Sequence, residues 1–370
     1  MRVLFVTRPT VFSGPGGDTI QLLQTKKYLE KLDVNVTIAD SLDFDFSNFD
    51  VVHFFNLRNP QDLLIPVRKA KKLGVPSVLS TIWGSYHEGD IKGREGWYSL
   101  LARCLKENHL EYMKAVARMV LNRNFSKNMI MYFLKGHLAA QKAIISNVDV
   151  LLPNSPTELE RVRLDMSSPA KKGAVVPNAV DLDVFDSDFV ESNEKFKKFE
   201  NSIVCAARIE SRKGQLQLIR AVRGTPYKLV IVGQPSPNSM GYYKKCLKEA
   251  TNNVHFISHI AHDELAKLYK VARAHALISW METPGLSSLE AGVMGCNLLV
   301  TSKGDTPYYF EDYAVYADPD SVESVRKGIF QVMESPYNEN LRKRIINEFN
   351  WNKTAEMTLK GYEKALGEYK

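Results

Sequence analysis

Cysteines and long apolar runs are both scarce in this sequence, and each absence excludes a class of protein. The four cysteines include no C-x-x-C pair, and the two closest, Cys205 and Cys246, are 41 residues apart. This spacing argues against a disulfide scaffold and against a cysteine-ligated metal site. No apolar stretch approaches the roughly 18 residues of a membrane-spanning helix, and the opening "MRVLFV" is too short for a signal-peptide core. We therefore expect a cytoplasmic protein with reduced thiols.

Short apolar runs alternate with longer helical patterns along nearly the whole chain. The chain has 370 residues, of which 44% are hydrophobic and 25% charged, and this is enough for two ordinary globular domains. The alternation stops at the acidic stretch that begins "DLDVFDSDF" (181–201), which we interpret as a surface connection, and restarts at "SIVCAAR". The predicted fold class is therefore α/β, with two Rossmann-like, doubly wound parallel-sheet domains and ligands at the carboxyl ends of the strands.

The segment "ETPGLSSLE" (282–290) follows the apolar strand pattern "HALISW" and holds two acids with seven residues between them. Pro284 suits the first turn of a helix and Gly295 suits its end. The first backbone N–H groups of such a helix form an anion site, suited to a phosphate; they belong to Gly285, Leu286 and Ser287. Two structural interpretations compete: Ser287 and Glu290 also fit a capping box, and Glu282 also fits an ordinary loop acid.

Cations follow the first strand pattern of the second half. "ARIESRKG" places Arg208 and Lys213 where they would neutralise a diphosphate without a metal, although both also fit a cationic surface loop. Gly233, in "VGQPSP", allows close approach of a ligand to the backbone. At the N-terminus, "SGPGGDT" begins a G-x-G-x-x-G with Gly14 and Gly16, but Thr19 occupies the third glycine position. Asp40 follows at the distance of a nicotinamide site, so a phosphate- or sugar-facing loop, a nicotinamide loop and a plain turn all stay open.

In its second half the chain resembles the donor domain of the retaining nucleotide-sugar glycosyltransferases of family 4 (glycosyl transferases group 1), which have the GT-B fold. The stretches that carry the resemblance occur in the family's order and span the chain: "GPGGDT", "VVPNAVDLDVF", "ARIESRKG", "ETPGLSSLE" and "FNWNKTAEMTLKGYEKAL". The resemblance implies two domains facing each other across a cleft. These are an acceptor-side domain at 1–180 and a nucleotide-sugar donor domain at 181–345, with a final helix at 346–370 that crosses back to the first domain.

The resemblance also implies roles for individual residues. Arg208 and Lys213 would hold the donor diphosphate, Glu282 would lie near the hydroxyls of the transferred sugar, and Glu290 would bind the ribose. The helix start at 285–287 would meet the phosphates. Two glycines would cover the donor from the other domain: Gly16 and Gly17.

The sequence departs from the family pattern at two places. The family usually has a histidine and a glycine at the end of the strand "PSVLSTI", but here the pair is Trp83-Gly84. His87 lies three residues further on, so Trp83 and His87 are both acceptor-side candidates. The hinge reads "PNAVD", with Ala179 where the family has glycine.

From these features we expect a retaining, hexosyltransferase-type enzyme that moves a sugar from a nucleotide-diphosphate donor, with a UDP-sugar favoured. The acceptor would be a hydroxyl of a glycan or glycolipid, in cell-surface polysaccharide or glycoconjugate synthesis. We expect no metal cofactor and no nucleic-acid partner. The alternatives are a sugar-nucleotide-binding partner subunit without activity, which the missing histidine motivates, and an NAD-dependent dehydrogenase.

The positive charge is concentrated in one window. Residues 92–143 contain ten Lys or Arg against three acids, which accounts for the whole net charge of +7. Aromatic residues such as Tyr112 and Tyr132 are interleaved with these charges. A basic, aromatic helical segment is typical of a contact with an anionic membrane surface. The window therefore predicts peripheral binding at the inner face of the membrane, unless it is only the solvated face of helices that pack on the core.

Overall fold

The computed structural model describes residues 1–39, 44–94, 96–121, 126–191 and 194–367. Within these ranges the strands are β1 (Arg2–Val6), β2 (Asn35–Ile38), β3 (Val51–Phe55), β4 (Ser77–Ser80), β5 (Val150–Leu152), β6 (Ile203–Ala206), β7 (Leu229–Val232), β8 (Val254–Ile257), β9 (Ala274–Leu277), β10 (Asn297–Val300) and β11 (Ala314–Tyr316).

The α-helices in the same ranges are α1 (Gly17–Glu30), α2 (Pro60–Leu73), α3 (His87–Lys92), α4 (Trp97–Cys104), α5 (Glu107–Leu121), α6 (Lys127–Lys135), α7 (His137–Asn147), α8 (Pro156–Asp165), α9 (Gln215–Val222), α10 (Met240–Glu249), α11 (His262–Val271), α12 (Leu286–Val293), α13 (Thr306–Phe310), α14 (Val322–Glu334), α15 (Glu339–Glu348) and α16 (Trp351–Leu366).

The chain divides into two compact units. Unit 1 comprises 1–84, 104–178 and 351–370, and unit 2 comprises 85–103 and 179–350. Unit 1 contains a five-stranded parallel sheet in the order β2-β1-β3-β4-β5. Leu4 and Val6 of β1 pack into an apolar cluster with α2 and α7. On the other face Phe5 contacts the ring of His53 at 5.1 Å.

The last helix, α16, packs on the sheet of unit 1. The hydroxyl of Tyr362 lies 2.8 Å from Nδ1 of His53, and Nε2 of the same ring lies 2.9 Å from the hydroxyl of Ser80. All three side chains are buried, and burial lowers the pKa of His53 to about 3. The imidazole is therefore neutral at physiological pH and serves as a polar link between α16, β3 and β4.

Unit 2 contains a six-stranded parallel sheet in the order β11-β10-β9-β6-β7-β8. Alternate residues of β6 point to opposite faces, since Val204 belongs to one apolar cluster and Ile203 and Cys205 to another. Both faces are therefore covered, as a doubly wound parallel sheet requires. The predicted fold class, two Rossmann-like parallel-sheet domains, is confirmed.

Three features differ from the expectations. The stretch 181–201 is not only a surface connection, because Phe185, Phe196 and Phe199 are buried in the core of unit 2. The apolar run "AVVP" (174–177) predicts a strand but forms none, and only Gly173 bridges to β5. The segment 85–103 belongs to unit 2, although the predicted boundaries put it within 1–180.

Candidate donor site

The segment 282–290 comprises the end of the turn after β9 and the first residues of α12. The helix begins at Leu286, and its N-cap is Gly285 with φ of +84°, a conformation that favours glycine. No side chain caps the helix, so the capping-box interpretation of Ser287 and Glu290 is wrong. Pro284 precedes the N-cap and is not in the first turn, whereas Gly295 follows the helix with φ of +95°. The first N–H groups of α12 have no acceptor within the helix.

Glu282 is buried and is held by an ion pair and by a backbone hydrogen bond. Its Oε1 accepts a hydrogen bond from Nζ of Lys213 at 2.5 Å, in an ion pair with only 20% and 8% of the two side chains exposed. Its backbone N–H donates to the carbonyl of Lys303 at 3.1 Å. A methyl group placed on Gly304 would lie 2.1 Å from the carbonyl oxygen of Glu282, so only glycine fits at that position. The carboxylate also lies beside the helix start, because a methyl on Gly285 would be 3.6 Å from Oε2.

Glu290 is a buried acid on the first turns of α12. Its residue is 9% exposed, and burial raises its pKa to about 7 from the ordinary 4.5. Among the described residues, no side chain forms an ion pair or a hydrogen bond with this carboxylate. A buried carboxyl of this kind, with its acceptors unused, is typical of a ligand-binding group.

A layer of polar side chains beneath α12 was missed by the sequence analysis. The hydroxyl of Ser288 lies 3.1 Å from Nε2 of the buried His275, and the hydroxyl of Tyr269 donates to the carbonyl of Ser287 at 3.3 Å. Burial lowers the pKa of His275 to about 3, so the ring is neutral. These contacts fix the first turn of α12 on β9 and α11. Nothing in the apolar pattern "HALISW" marks His275 as a partner of the next helix.

The loop after β6 carries alternating charges. Nε of Arg208 lies 3.4 Å from Oε1 of Glu210, and Nε of Arg212 lies 2.5 Å from Oε2 of the same carboxylate. Burial acts to raise the pKa of Glu210, but Arg212 and Arg208 outweigh it and hold that pKa below its ordinary range. Arg208 is half exposed, and its guanidinium keeps donors for a further ligand. Glu210 was missed, although its place between two arginines was a visible signal.

Gly233 has a structural reason to be glycine. Its φ is +147°, and a methyl group there would lie 2.1 Å from the carbonyl oxygen of Ala207. The turn after β7 thus lies directly against the turn after β6. This contact supports the loop of Arg208, independently of any approach to a ligand.

In unit 1 the glycine loop joins β1 to α1. The N–H of Gly16, the N-cap of α1, donates to the hydroxyl of Thr19 at 3.0 Å, and that hydroxyl donates to the carbonyl of Val11 at 2.9 Å. Gly17 is the first residue of the helix. Thr19 therefore closes the loop with its own side chain, which the third glycine of a nicotinamide site would not do. Asp40, the other residue of that interpretation, lies outside the described residues.

The two acceptor-side candidates lie in different units. Trp83 is in unit 1, where its N–H donates to Oε1 of Glu158 and its indole N–H to Oδ2 of Asp165, both at 2.7 Å. His87 is in unit 2 at the start of α3. Its Nδ1 is buried and has no hydrogen-bond partner among the described residues. The N–H groups of Trp83 are thus used within its own unit, whereas Nδ1 of His87 is buried without a hydrogen-bond partner among the described residues.

The basic window does not form one structural element. Lys92 lies in unit 2, where its Nζ is 2.8 Å from Asp320, and Nε of Arg94 is 3.2 Å from Asp90. The remainder of the window, from residue 104, lies in unit 1. Arg123, which the charge count included, lies outside the described residues.

Among the described residues, no group of three or more His, Cys, Asp or Glu side chains is placed to hold a metal ion. No helix in the same part of the chain has the length and apolar character needed to cross a membrane.

Two parallel-sheet, Rossmann-like units of this kind constitute the GT-B fold, and solved structures share it. Sucrose-phosphate synthase from Thermosynechococcus elongatus superimposes with a TM-score of 0.73 at 15% identity, with 100% of both chains covered. HepE from Anabaena, solved in complex with UDP and glucose, superimposes with a TM-score of 0.68 at 15% identity, with 98% of this chain and 99% of that chain covered. At such identities the likeness shows the fold.

The sequence comparisons match part of the chain. Residues 186–349 match the family described as glycosyl transferases group 1. The D-inositol 3-phosphate glycosyltransferase of Mycobacteroides abscessus is 24% identical over 251 residues, which are 62% of this chain and 55% of that protein. The same-named protein of Mycobacterium tuberculosis is also 24% identical over 251 residues, or 51% of its length. The chain therefore spans about half the length of the curated relatives that it matches.

Proposed function

We propose that this protein is a retaining, family 4 hexosyltransferase that transfers a sugar from a nucleoside-diphosphate sugar, with UDP favoured, to a hydroxyl of a glycan or glycolipid. The observation that carries the proposal is the buried pair of Lys213 and Glu282 beside the uncapped start of α12. An ammonium and helix N–H groups stabilise a departing diphosphate. The UDP complex of the structural relative HepE supports the choice of donor class.

In the proposed reaction the bond between the anomeric carbon and the diphosphate oxygen breaks, and a bond to the acceptor oxygen forms on the same face of the sugar. Negative charge develops on the leaving diphosphate, where Arg208, Lys213 and the start of α12 stabilise it. The leaving phosphate accepts the proton of the acceptor hydroxyl, so no separate base is needed. Glu282, held by Lys213, is oriented to accept hydrogen bonds from hydroxyls of the transferred sugar.

The test is the release of free nucleotide from UDP-, GDP- and ADP-sugars, with and without candidate acceptors, at enzyme excess. We expect turnover of a UDP-sugar and a product with the anomeric configuration of the donor, as read by NMR. Inversion would contradict the retaining mechanism. Binding of a donor without any turnover would instead establish a sugar-nucleotide-binding subunit.

Turnover is expected to survive chelation, because the proposed site neutralises the diphosphate with Arg208, Lys213 and helix N–H groups. We expect the rate in EDTA to equal the rate after exhaustive dialysis. The control is a parallel assay with added Mn²⁺ or Mg²⁺. Complete loss of turnover in EDTA, with recovery on Mn²⁺, would contradict this prediction.

For the acceptor we propose delivery at an anionic membrane surface by α5 and α6 of unit 1. Large apolar side chains of these two helices are between 46% and 81% exposed: Met113, Val120, Leu121, Ile130, Phe133 and Leu134. Exposed cations accompany them, among them Arg118, Lys127 and Lys135. Apolar side chains beside cations suit a helix that lies in the headgroup region, and each cation adds about 1 kcal/mol there.

We expect the protein to co-sediment with phosphatidylserine-containing vesicles at low salt. Binding should weaken at moderate salt, because screening reduces the attraction between the cations and the anionic lipid. Replacing Arg118, Lys127 and Lys135 by glutamine should abolish it. The matched control replaces three exposed lysines of unit 2 by glutamine: Lys244, Lys248 and Lys327. Equal pelleting of both triple variants, or of the wild type with neutral vesicles, would contradict the membrane proposal and leave a soluble glycan as the acceptor.

A further inference from the structure

The segment 85–103 belongs to unit 2, where Gly89 in α3 and Gly93 at its C-terminal cap lie against a buried indole. Trp280, three residues after β9, is 4% exposed. A methyl group on Gly89 would lie 2.8 Å from Cβ of Trp280, and one on Gly93 would lie 2.6 Å from its Nε1. The glycines are four residues apart, so they lie on one face of the helix. Neither has a positive φ, so they are required for space and not for backbone conformation.

Charged contacts hold the same segment on either side of the indole. Both carboxylate oxygens of Glu88 contact Nζ of Lys303, at 3.0 and 2.8 Å. At the end of α3, Nζ of Lys92 contacts Asp320 at 2.8 Å. Before α3, the guanidinium of Arg212 lies 5.0 Å from the ring centroid of Tyr86, a cation–π contact.

The residues that α3 contacts are those that hold Glu282 in place. The N–H of Trp280 donates to the carbonyl of Arg212 at 2.9 Å, next to Lys213 in the sequence. The carbonyl of Lys303, whose ammonium binds Glu88, accepts the N–H of Glu282. The loop of Glu282 is thus fixed from both sides by residues that in turn rest on α3.

We infer that the 85–103 segment is a positioning element for the donor-site carboxylate, acting through Trp280 and Lys303. Gly89 and Gly93 allow the indole of Trp280 to pack directly against the backbone of the segment, and Glu88 fixes the position of Lys303 through their ion pair. The inference rests on the proposed function for its effect on turnover, but its effect on the loop is independent of any activity. Displacement of a catalytic group by about 1 Å costs on the order of 10²-fold in rate.

The test replaces Gly89 by alanine, which adds the methyl group that meets Trp280. The amides of Trp280, Glu282 and Asp305 should then exchange hydrogen for deuterium faster. We expect kcat for sugar transfer to fall by about 10²-fold, while the KM for the donor changes far less. The matched control is Gly241→Ala in α10, where the added methyl has no atom within 4 Å. It should leave both readouts unchanged.

A second variant, Glu88→Gln, removes the ion pair with Lys303. The carboxylate is 38% exposed, so its loss costs little stability, and this variant decides the question if Gly89→Ala fails to fold. We expect faster exchange of the Glu282 amide and a lower kcat at an unchanged thermal midpoint. Wild-type exchange and wild-type kcat in Glu88→Gln would overturn the inference. Absence of turnover in the wild-type protein would refute only the proposed function, because exchange would still report on the loop.

Discussion

Replacing Lys213 by alanine is expected to lower kcat for sugar transfer by about 10² to 10³-fold, the typical cost of removing one donor to a developing negative charge. The ammonium has three N–H groups, so it can hold Glu282 at 2.5 Å and still donate to a diphosphate oxygen. The KM for the donor should rise less than kcat falls. Steady-state kinetics with the UDP-sugar and its best acceptor would measure both.

The control separates catalysis from stability. Lys213→Ala leaves a buried carboxylate without its cation, which lowers stability, so the thermal midpoint must be recorded beside the rate. Lys244→Ala, at an exposed position of α10, should change neither. Glu282→Ala is expected to reduce turnover more than donor affinity. A lower thermal midpoint with wild-type kcat in Lys213→Ala would make the pair a structural ion pair only.

Most strands and their order of appearance could be predicted from the sequence, because buried parallel strands are short continuous apolar runs; the apolar run at 174–177 is the exception, since it forms no strand. The segment 282–290, with its turn and helix start, could also be located, since proline and glycine between two acids mark the end of a strand and the start of a helix. Its details could not, because Pro284 and Ser287 both fit more than one position of a helix start. The positive φ of Gly285 decides between them.

The packing of α3 within unit 2 could not be predicted, because it depends on contacts between residues far apart in the chain. Neither Gly89 nor Gly93 has a positive φ, and it is Trp280, almost 200 positions later, that leaves no room for a side chain at Gly89 and contributes to the same restriction at Gly93. The burial of Phe185 and Phe196 could not be predicted for a related reason. They are single aromatic residues among charges, and no local period marks them as core.

Replacing Glu290 is expected to affect donor binding, whereas replacing Glu282 affects mainly turnover. We expect Glu290→Gln to weaken binding of a UDP-sugar by about 30-fold or more. Truncating one partner of a buried, charged hydrogen bond costs roughly 2–5 kcal/mol, and 2 kcal/mol corresponds to about 30-fold in Kd. An ionised carboxylate can accept hydrogen bonds from both ribose hydroxyls, whereas an amide offers a single acceptor oxygen. Calorimetric titration with the intact donor would measure the loss.

The same residue predicts a pH dependence. Burial raises the pKa of Glu290 to about 7, so the free protein is mostly protonated there at pH 6. If the donor binds only the ionised carboxylate, the protein must first lose this proton at pH 6. That cost makes the Kd for the donor about tenfold higher at pH 6 than at pH 8. A UDP-sugar is the right probe, because its diphosphate has no proton that titrates in this range. Glu290→Gln should bind equally at both values of pH.

The variant can also be shown to be folded. Because the pKa of Glu290 is raised in the folded protein, the folded state loses stability as the pH rises from the ordinary value of 4.5 to about 7, and the full penalty is present at pH 8. Glu290→Gln should therefore unfold at a higher temperature than the wild type at pH 8 and at a similar temperature at pH 4.5. A variant that is more stable at pH 8 yet binds the donor less tightly would show that Glu290 serves the ligand and not the fold. Wild-type affinity at pH 8 would remove Glu290 from the donor site.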